Sequence, residues 1–338
     1  MDLPALLSIL TRLPAFSGLT AADLEPLPLK GVAHDHVRLR GRGVVARVPR
    51  WSQVGLDPAA NLAYQATAFA RAAVGGHTPE LVAVLEPGPT LPMGALLVGE
   101  IVGRPPRLPA DMPAIARALA ALHRLPLPPP AERPPLASPA DPVAATLALV
   151  ERQAAYFDTA DLAPAARARL AEELEAARRD RPDLPMPVTL PVTLPITLVG
   201  TDVHPGNFLI DAAGKAWFTD LEKAQYGHPG IDLAHASLYT STMWDPAVAA
   251  ALSPGDVAAF HAAWEAAVPA DLAAAVRPWL RPLRRLTWLR SLSWMARWKV
   301  EGERLSPGMP AELCAHLRAR LDDVFRPDTI DRVRQEWR

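Results

Sequence analysis

Asp202, Asn207 and Asp220 are the residues best suited to chemistry, because they are short polar side chains standing between apolar, strand-like runs. Thr197 to Val199 reads as a buried strand leading toward them, Phe208 to Ile210 as a short strand leading away, and Ala216 to Phe218 as its return after a turn at Asp211 to Gly214. That hairpin brings the three to one end. Two carboxylates and an amide there suit phosphoryl transfer, whose loose transition state needs a carboxylate to orient the attacking hydroxyl and oxygen ligands for a magnesium ion between phosphates. Asp202 is then the base candidate. A plainer alternative makes Asp202 and Asn207 a turn and its cap, Asp220 a strand end, and Asp232 the N-cap of a helix from Leu233 to Tyr239.

Four residues separate Asp202 from Asn207, and Asp220 follows Asp202 by eighteen. Both spacings are those of the kinase catalytic loop and its metal-binding aspartate. With His204-Pro-Gly-Asn207, Thr219-Asp-Leu-Glu222 and Gly227-His-Pro-Gly-Ile-Asp-Leu-Ala234, the stretch resembles the aminoglycoside phosphotransferase and choline kinase family, small-molecule relatives of the protein kinases. The resemblance covers about residues 27 to 300 and is strongest from 197 to 239.

It implies an α+β, protein-kinase-like two-lobe fold with a small antiparallel-sheet N-lobe and a mostly helical C-lobe. Residues 1–26 would be an N-terminal helical segment, 27–100 the nucleotide-covering lobe, and 101–338 the helical lobe with the catalytic loop and acceptor site. The implied cofactors are ATP and Mg²⁺, and the acceptor a hydroxyl of an aminoglycoside, an amino alcohol such as choline, or a sugar-like compound. The alternative is a catalytically weak or inactive nucleotide-binding protein. Asn207 and Asp220 would hold the metal, with Glu222 as a second acid, while His204 braces the loop and Asp232 hydrogen-bonds it from the next helix.

The chain departs from the family pattern in three places. Arg47 stands where a strand lysine would hold the nucleotide phosphates, a role its fork of donors can fill. No acid lies between Ala59 and His77 to pair with it, and Gln65 is the nearest polar substitute. Gly200 replaces the histidine usually found two residues before the catalytic aspartate. The resemblance puts the backbone of Gly99, Glu100 and Ile101 at the adenine edge. His34 and His36 precede the small-lobe strands and read as exposed loop residues, and His123 as a packed structural histidine. Trp288, Trp294 and Trp298 lie on one helix as a candidate acceptor site, either core packing or a cage for an amine by cation–π attraction. Arg284, Arg285, Arg290 and Arg297 on the same helix would instead favour an anionic acceptor.

These residues need a scaffold, and 338 residues, half of them hydrophobic, can bury a large core in two lobes. A net charge of −1 argues against general binding to nucleic acid or an anionic membrane, so the expected partner is a small molecule. The single cysteine, Cys314, excludes an internal disulfide. The first residues lack a signal peptide's basic region, and no apolar run approaches the roughly 20 residues needed to span a bilayer, so the expected location is cytoplasmic. Helices are expected at 3–13, 20–24, 61–74, 113–125, 142–157 and 164–179, and strands at 37–40, 44–48 and 95–103. A Pro-Val-Thr-Leu repeat between 187 and 198 is incompatible with a helix, and only its last copy is needed for the catalytic strand.

Overall fold

The computed structural model describes residues 2–29, 33–180, 194–305 and 309–338, without the side chains of 303–305. Most of the Pro-Val-Thr-Leu repeat lies outside them; its last copy enters a strand at Thr197. The helices are α1 (Leu3–Leu10), α2 (Pro58–Ala73), α3 (Met112–His123), α4 (Pro142–Gln153), α5 (Ala155–Thr159), α6 (Pro164–Arg179), α7 (Pro229–Ser237), α8 (Tyr239–Thr242), α9 (Pro254–Glu265), α10 (Ala270–Val276), α11 (Leu280–Leu305), α12 (Ala311–Val324) and α13 (Pro327–Arg334). The strands are β1 (Leu24–Pro26), β2 (His34–Leu39), β3 (Val44–Pro49), β4 (Leu81–Leu85), β5 (Ala95–Gly99), β6 (Thr197–Val199), β7 (Phe208–Ile210), β8 (Ala216–Phe218) and β9 (Gln225–Gly227).

The first five strands form one antiparallel sheet in the order β1-β2-β3-β5-β4. Its two faces follow from the alternation of side chains along a strand. On β3, Val44, Ala46 and Val48 join Leu6 and Leu10 of α1 in one core, while Arg47 between them points the opposite way. The opposite face is covered by Leu62, Ala68 and Phe69 of α2, which meet Leu96 and Val98 of β5. That helix starts where Asp57 accepts the Ala60 N–H at 2.9 Å and Pro58 fills the first turn.

The second part is mostly helical. Helix α11 is its axis, burying Leu283, Leu286, Leu289, Leu292 and Met295 among α4, α6, α7, α12 and α13. Two short ladders lie between it and the sheet, β6 with β9 and β7 with β8, so the catalytic loop rests on strand pairs at both ends. Phe208 and Phe218 stack across the second ladder with centroids 5.1 Å apart. Among the described residues, no helix is long and apolar enough to cross a membrane.

Several expectations need correction. His34 and His36 are not exposed loop residues but part of β2, and His34 is 5% exposed. The stretch expected as a helix at 20–24 is a single 3₁₀ turn, held by the Thr20 N–H donating to Asp23 at 2.7 Å, after which Leu24 begins β1. The helix expected at 142–157 breaks at Ala154 into α4 and α5.

One buried histidine gives a pH prediction. His228 is fully buried before α7, where Nδ1 accepts the Gly230 N–H at 3.0 Å. Burial, and then His123, lower its pKa to about 3. An unfolded imidazole titrates near ~6.5, so below that pH the unfolded chain binds a proton that the folded chain refuses. Stability is therefore full above that value and falls with acidification, by up to ~1.4 kcal/mol per pH unit from this residue. Urea midpoints measured between pH 7 and 5 should fall less steeply for His228→Asn, which keeps a capping oxygen; an unchanged slope would refute the assignment.

Candidate active site

The loop after β6 is held from below by Asp232. This carboxylate is fully buried and accepts the Gly200 N–H at 2.7 Å, the Thr201 N–H at 2.8 Å and His123 Nε2–H at 3.1 Å. Trp264 Nε1–H donates to His123 Nδ1 at 3.0 Å, which fixes the tautomer that points its proton at Asp232. Thr201 takes φ 59°, unusual for a β-branched residue, and its hydroxyl donates to the Lys223 carbonyl at 2.9 Å. Such strain persists where the surroundings over-determine the backbone, and here they present Asp202 to the cavity. Gly200 has no room for a side chain: a Cβ would lie 2.5 Å from Val203 Cγ1 and 2.7 Å from the Phe218 ring. The backbone at Gly200 and Thr201 is held by Asp232.

Asp202 Oδ2 accepts from Lys223 Nζ at 2.6 Å, and both side chains are about a quarter exposed, at 26%. Burial pushes the Asp202 pKa up, but the charges of Lys223, His204 and His235 outweigh it and hold the carboxyl below its usual range. Lys223 is the counterpart: burial opposes its charge, yet Asp202 and Glu222 raise its pKa overall. Asn207 Nδ2–H donates to the Asp202 carbonyl at 2.8 Å, and the Asn207 carbonyl accepts the Thr219 N–H at 2.9 Å. These bonds tie the base candidate, the amide and the strand end before Asp220 into one unit.

Arg47 crosses from the sheet to that unit. Its guanidinium donates to Asp220 Oδ1 at 2.7 Å, to the Thr219 carbonyl at 2.9 Å and to His36 Nε2 at 3.3 Å, and it lies over the Phe69 ring. Burial would raise the Asp220 pKa, but Arg47 and His34 lower it overall. Gln65 is not the partner of Arg47: its amide oxygen accepts His34 Nε2–H at 3.1 Å. His34 Nδ1 in turn faces Glu222 at 3.4 Å, and the other Glu222 oxygen is taken by Gln53. Burial, then Asp220, raises the Glu222 pKa, whereas burial, then Arg47, lowers that of His34. Both Glu222 oxygens thus have partners other than a metal, Gln53 and His34. Among the described residues no group of three or more His, Cys, Asp or Glu side chains is arranged to hold a metal. Asn207 Oδ1 and Asp220 Oδ2 accept no hydrogen bond among those residues, and two hard oxygens are a donor set that suits magnesium completed by water and phosphate.

At the adenine-edge segment, Gly99 N–H donates to the Glu80 carbonyl at 2.9 Å and Glu100 N–H to the Gly43 carbonyl at 2.8 Å. The Glu100 carboxylate accepts from Arg38 at 2.6 Å. Ile101 N–H has no partner among the described residues.

A cavity of 1030 Å³ opens beside Asp202, lined also by His204, Lys223 and Arg290. Trp294 and Trp298 line it, joined by Trp51 and Trp244, and the Trp244 and Trp294 rings meet edge-on at 5.6 Å. Trp288 does not: it is 1% exposed and packs against Trp337 at 5.3 Å in the helical core. The three-indole cage is therefore corrected to two of its members and two other tryptophans. Sequence reasoning also missed Lys223 as the partner of Asp202. Its position beside Glu222, in a chain with four lysines, was the available signal.

A small antiparallel sheet set over a helical body, with a catalytic loop between them, defines an α+β fold of the protein-kinase-like class. The chain belongs to the phosphotransferase enzyme family, whose model matches residues 27–270, and it is a phosphotransferase that acts on small molecules. Among solved structures it is similar to a choline/ethanolamine kinase family protein from Mesorhizobium loti, with TM-score 0.60 and 18% identity over 99% of this chain and 100% of that one. A choline kinase from Cryptosporidium parvum aligns with TM-score 0.58 and 12% identity over 97% and 99% of the two chains. For a macrolide 2'-phosphotransferase from Brachybacterium faecium the values are 0.56 and 18% over 95% and 96%. The comparison with curated proteins finds no match.

Proposed function

We propose that the protein transfers the γ-phosphoryl group of ATP, bound with Mg²⁺, to a hydroxyl of a small molecule held in the 1030 Å³ cavity. The observation that carries this reading is the convergence of Asp202, Asn207 and the Asp220–Arg47 pair, linked by hydrogen bonds of 2.7 to 2.9 Å. Asp202 accepts the acceptor's hydroxyl hydrogen bond and orients its oxygen. A carboxylate stabilised by Lys223 is a weak base, which suits a reaction that depends on positioning more than on early proton removal. Asn207 and Asp220 would hold a magnesium ion, which when bound would neutralise phosphate charge. Arg47, now paired with Asp220, would hold the phosphates through its planar fork of donors, while Asp220 would serve the metal. Glu222, engaged by His34 and Gln53, supports Asp220 from behind. Ile101 N–H meets the adenine edge.

A ligand that binds only the folded state stabilises it by ~2.7 kcal/mol at a hundredfold excess over its Kd. ATP with magnesium should therefore raise the melting temperature well above ATP alone. Asp220→Asn should lose that magnesium-dependent increment and keep the ATP-only one. An equal increment in the variant would overturn the metal site.

A further inference from the structure

We infer that the phosphoryl acceptor is an anion, a hydroxyl compound with an aromatic or alicyclic body and one carboxylate, rather than an amine. This rests on the proposed reading that the cavity beside Asp202 holds the acceptor. Among the described residues lining that cavity Asp202 is the one carboxylate, and Lys223 already neutralises it at 2.6 Å. A cationic acceptor would therefore find no free negative charge among the described lining residues. The cations are unequal in the same respect. On α11, Arg284 is paired with Glu336, Arg285 with Glu173 and Asp180, and Arg297 with Glu301 at 2.9 Å.

Arg290 differs from all of them. It lines the cavity, its one hydrogen bond among the described residues goes to the Thr201 carbonyl, and no carboxylate pairs with it. Both acids that act on its charge have other partners: Asp202 has Lys223, and Asp232 has the loop amides and His123. Its remaining donors are not among the buried polar atoms left without a partner, so they face the cavity and are free to take a ligand. A carboxylate suits them, because its two oxygens match the planar fork. Trp244, Trp294 and Trp298 add flat apolar walls for the body of such a molecule. Those indoles alone would also suit an amine, but the unpaired arginine repels one.

The test uses three probes on one phenylpropane skeleton: 3-phenyllactate (anion) and 3-phenyl-1,2-propanediol (neutral) differ only in the carboxylate, and phenylalaninol (cation) differs from the diol only in its amine. Tryptophan fluorescence of the full-length protein, with magnesium and ATP present, reads their binding. The expected order is phenyllactate, then the diol, then phenylalaninol, with phenyllactate ahead of the diol by roughly tenfold or more. Arg290→Gln should reduce phenyllactate to the diol's affinity, and Arg290→Lys should keep part of the preference, which a purely structural bond to Thr201 would not produce. Tightest binding of phenylalaninol, no binding by any probe up to millimolar concentration, or an order unchanged in Arg290→Gln would each overturn the inference. Magnesium–ATP binding in the same samples separates the two failures. Its absence sinks the phosphotransferase reading, whereas its presence with a preference for the amine sinks only this one.

Discussion

Asp202→Asn is expected to lower kcat by roughly 10²- to 10⁴-fold, the usual contribution of a positioned acid–base group, with the KM for ATP little changed. The substitution keeps the shape of the side chain and removes its charge. Asparagine can still lie beside Lys223, but its amide cannot hold the acceptor's proton, and Lys223 loses the ion pair that now fixes it at 2.6 Å. Asn207 bonds the Asp202 backbone carbonyl rather than its side chain, so the magnesium ligands should stay in place. Steady-state kinetics with the best acceptor found would read the split. A kcat within threefold of wild type would remove Asp202 from the reaction.

Asp232→Ala should have the largest effect on folding. The carboxylate is fully buried and satisfies three buried donors, two of them backbone N–H groups of the strained turn at Gly200 and Thr201. Leaving a buried donor unpaired costs about 1–3 kcal/mol, so a total of ~3–5 kcal/mol is expected, a large share of ordinary domain stability. Activity should fall as well, because the same bonds aim Asp202. Asp232→Asn keeps one acceptor oxygen and should fall between the two. Denaturant titration measures the loss, and a change under about 1 kcal/mol for alanine would mean that the loop is held by something else.

The hairpin around Asp202 was legible because its information is local: strand runs and turn residues lie within 26 positions, and the structure places β6, β7 and β8 where the runs predict them. Contacts between distant segments were not legible. β9 pairs with β6 over three residues, too short a run to stand out. His34, in a His-Asp-His run that looks solvated, is buried only because Gln65 and Glu222 arrive from 31 and 188 positions away. Gln65 stands where a carboxylate would pair with Arg47, but its amide oxygen serves His34 instead, and Arg47 has a stronger acceptor in Asp220. Trp288 was separable in principle. Six residues along a helix turn the direction by about 120° net, so Trp288 and Trp294 face apart, while Trp294 and Trp298 share a face. The choice among the arginines of α11 needed the partners from α6 and the C-terminal residues, which no local pattern reveals.

The most direct test of phosphoryl transfer follows the phosphorus itself. Protein, magnesium and ATP labelled at the γ-phosphate are incubated with pools of small hydroxyl compounds, and the label is traced by chromatography. The account predicts labelled phosphate ester in at least one pool, dependent on magnesium and lost in Asp202→Asn. Label that stays on ATP in every pool, or appears only as inorganic phosphate at the same rate in the variant, would contradict it.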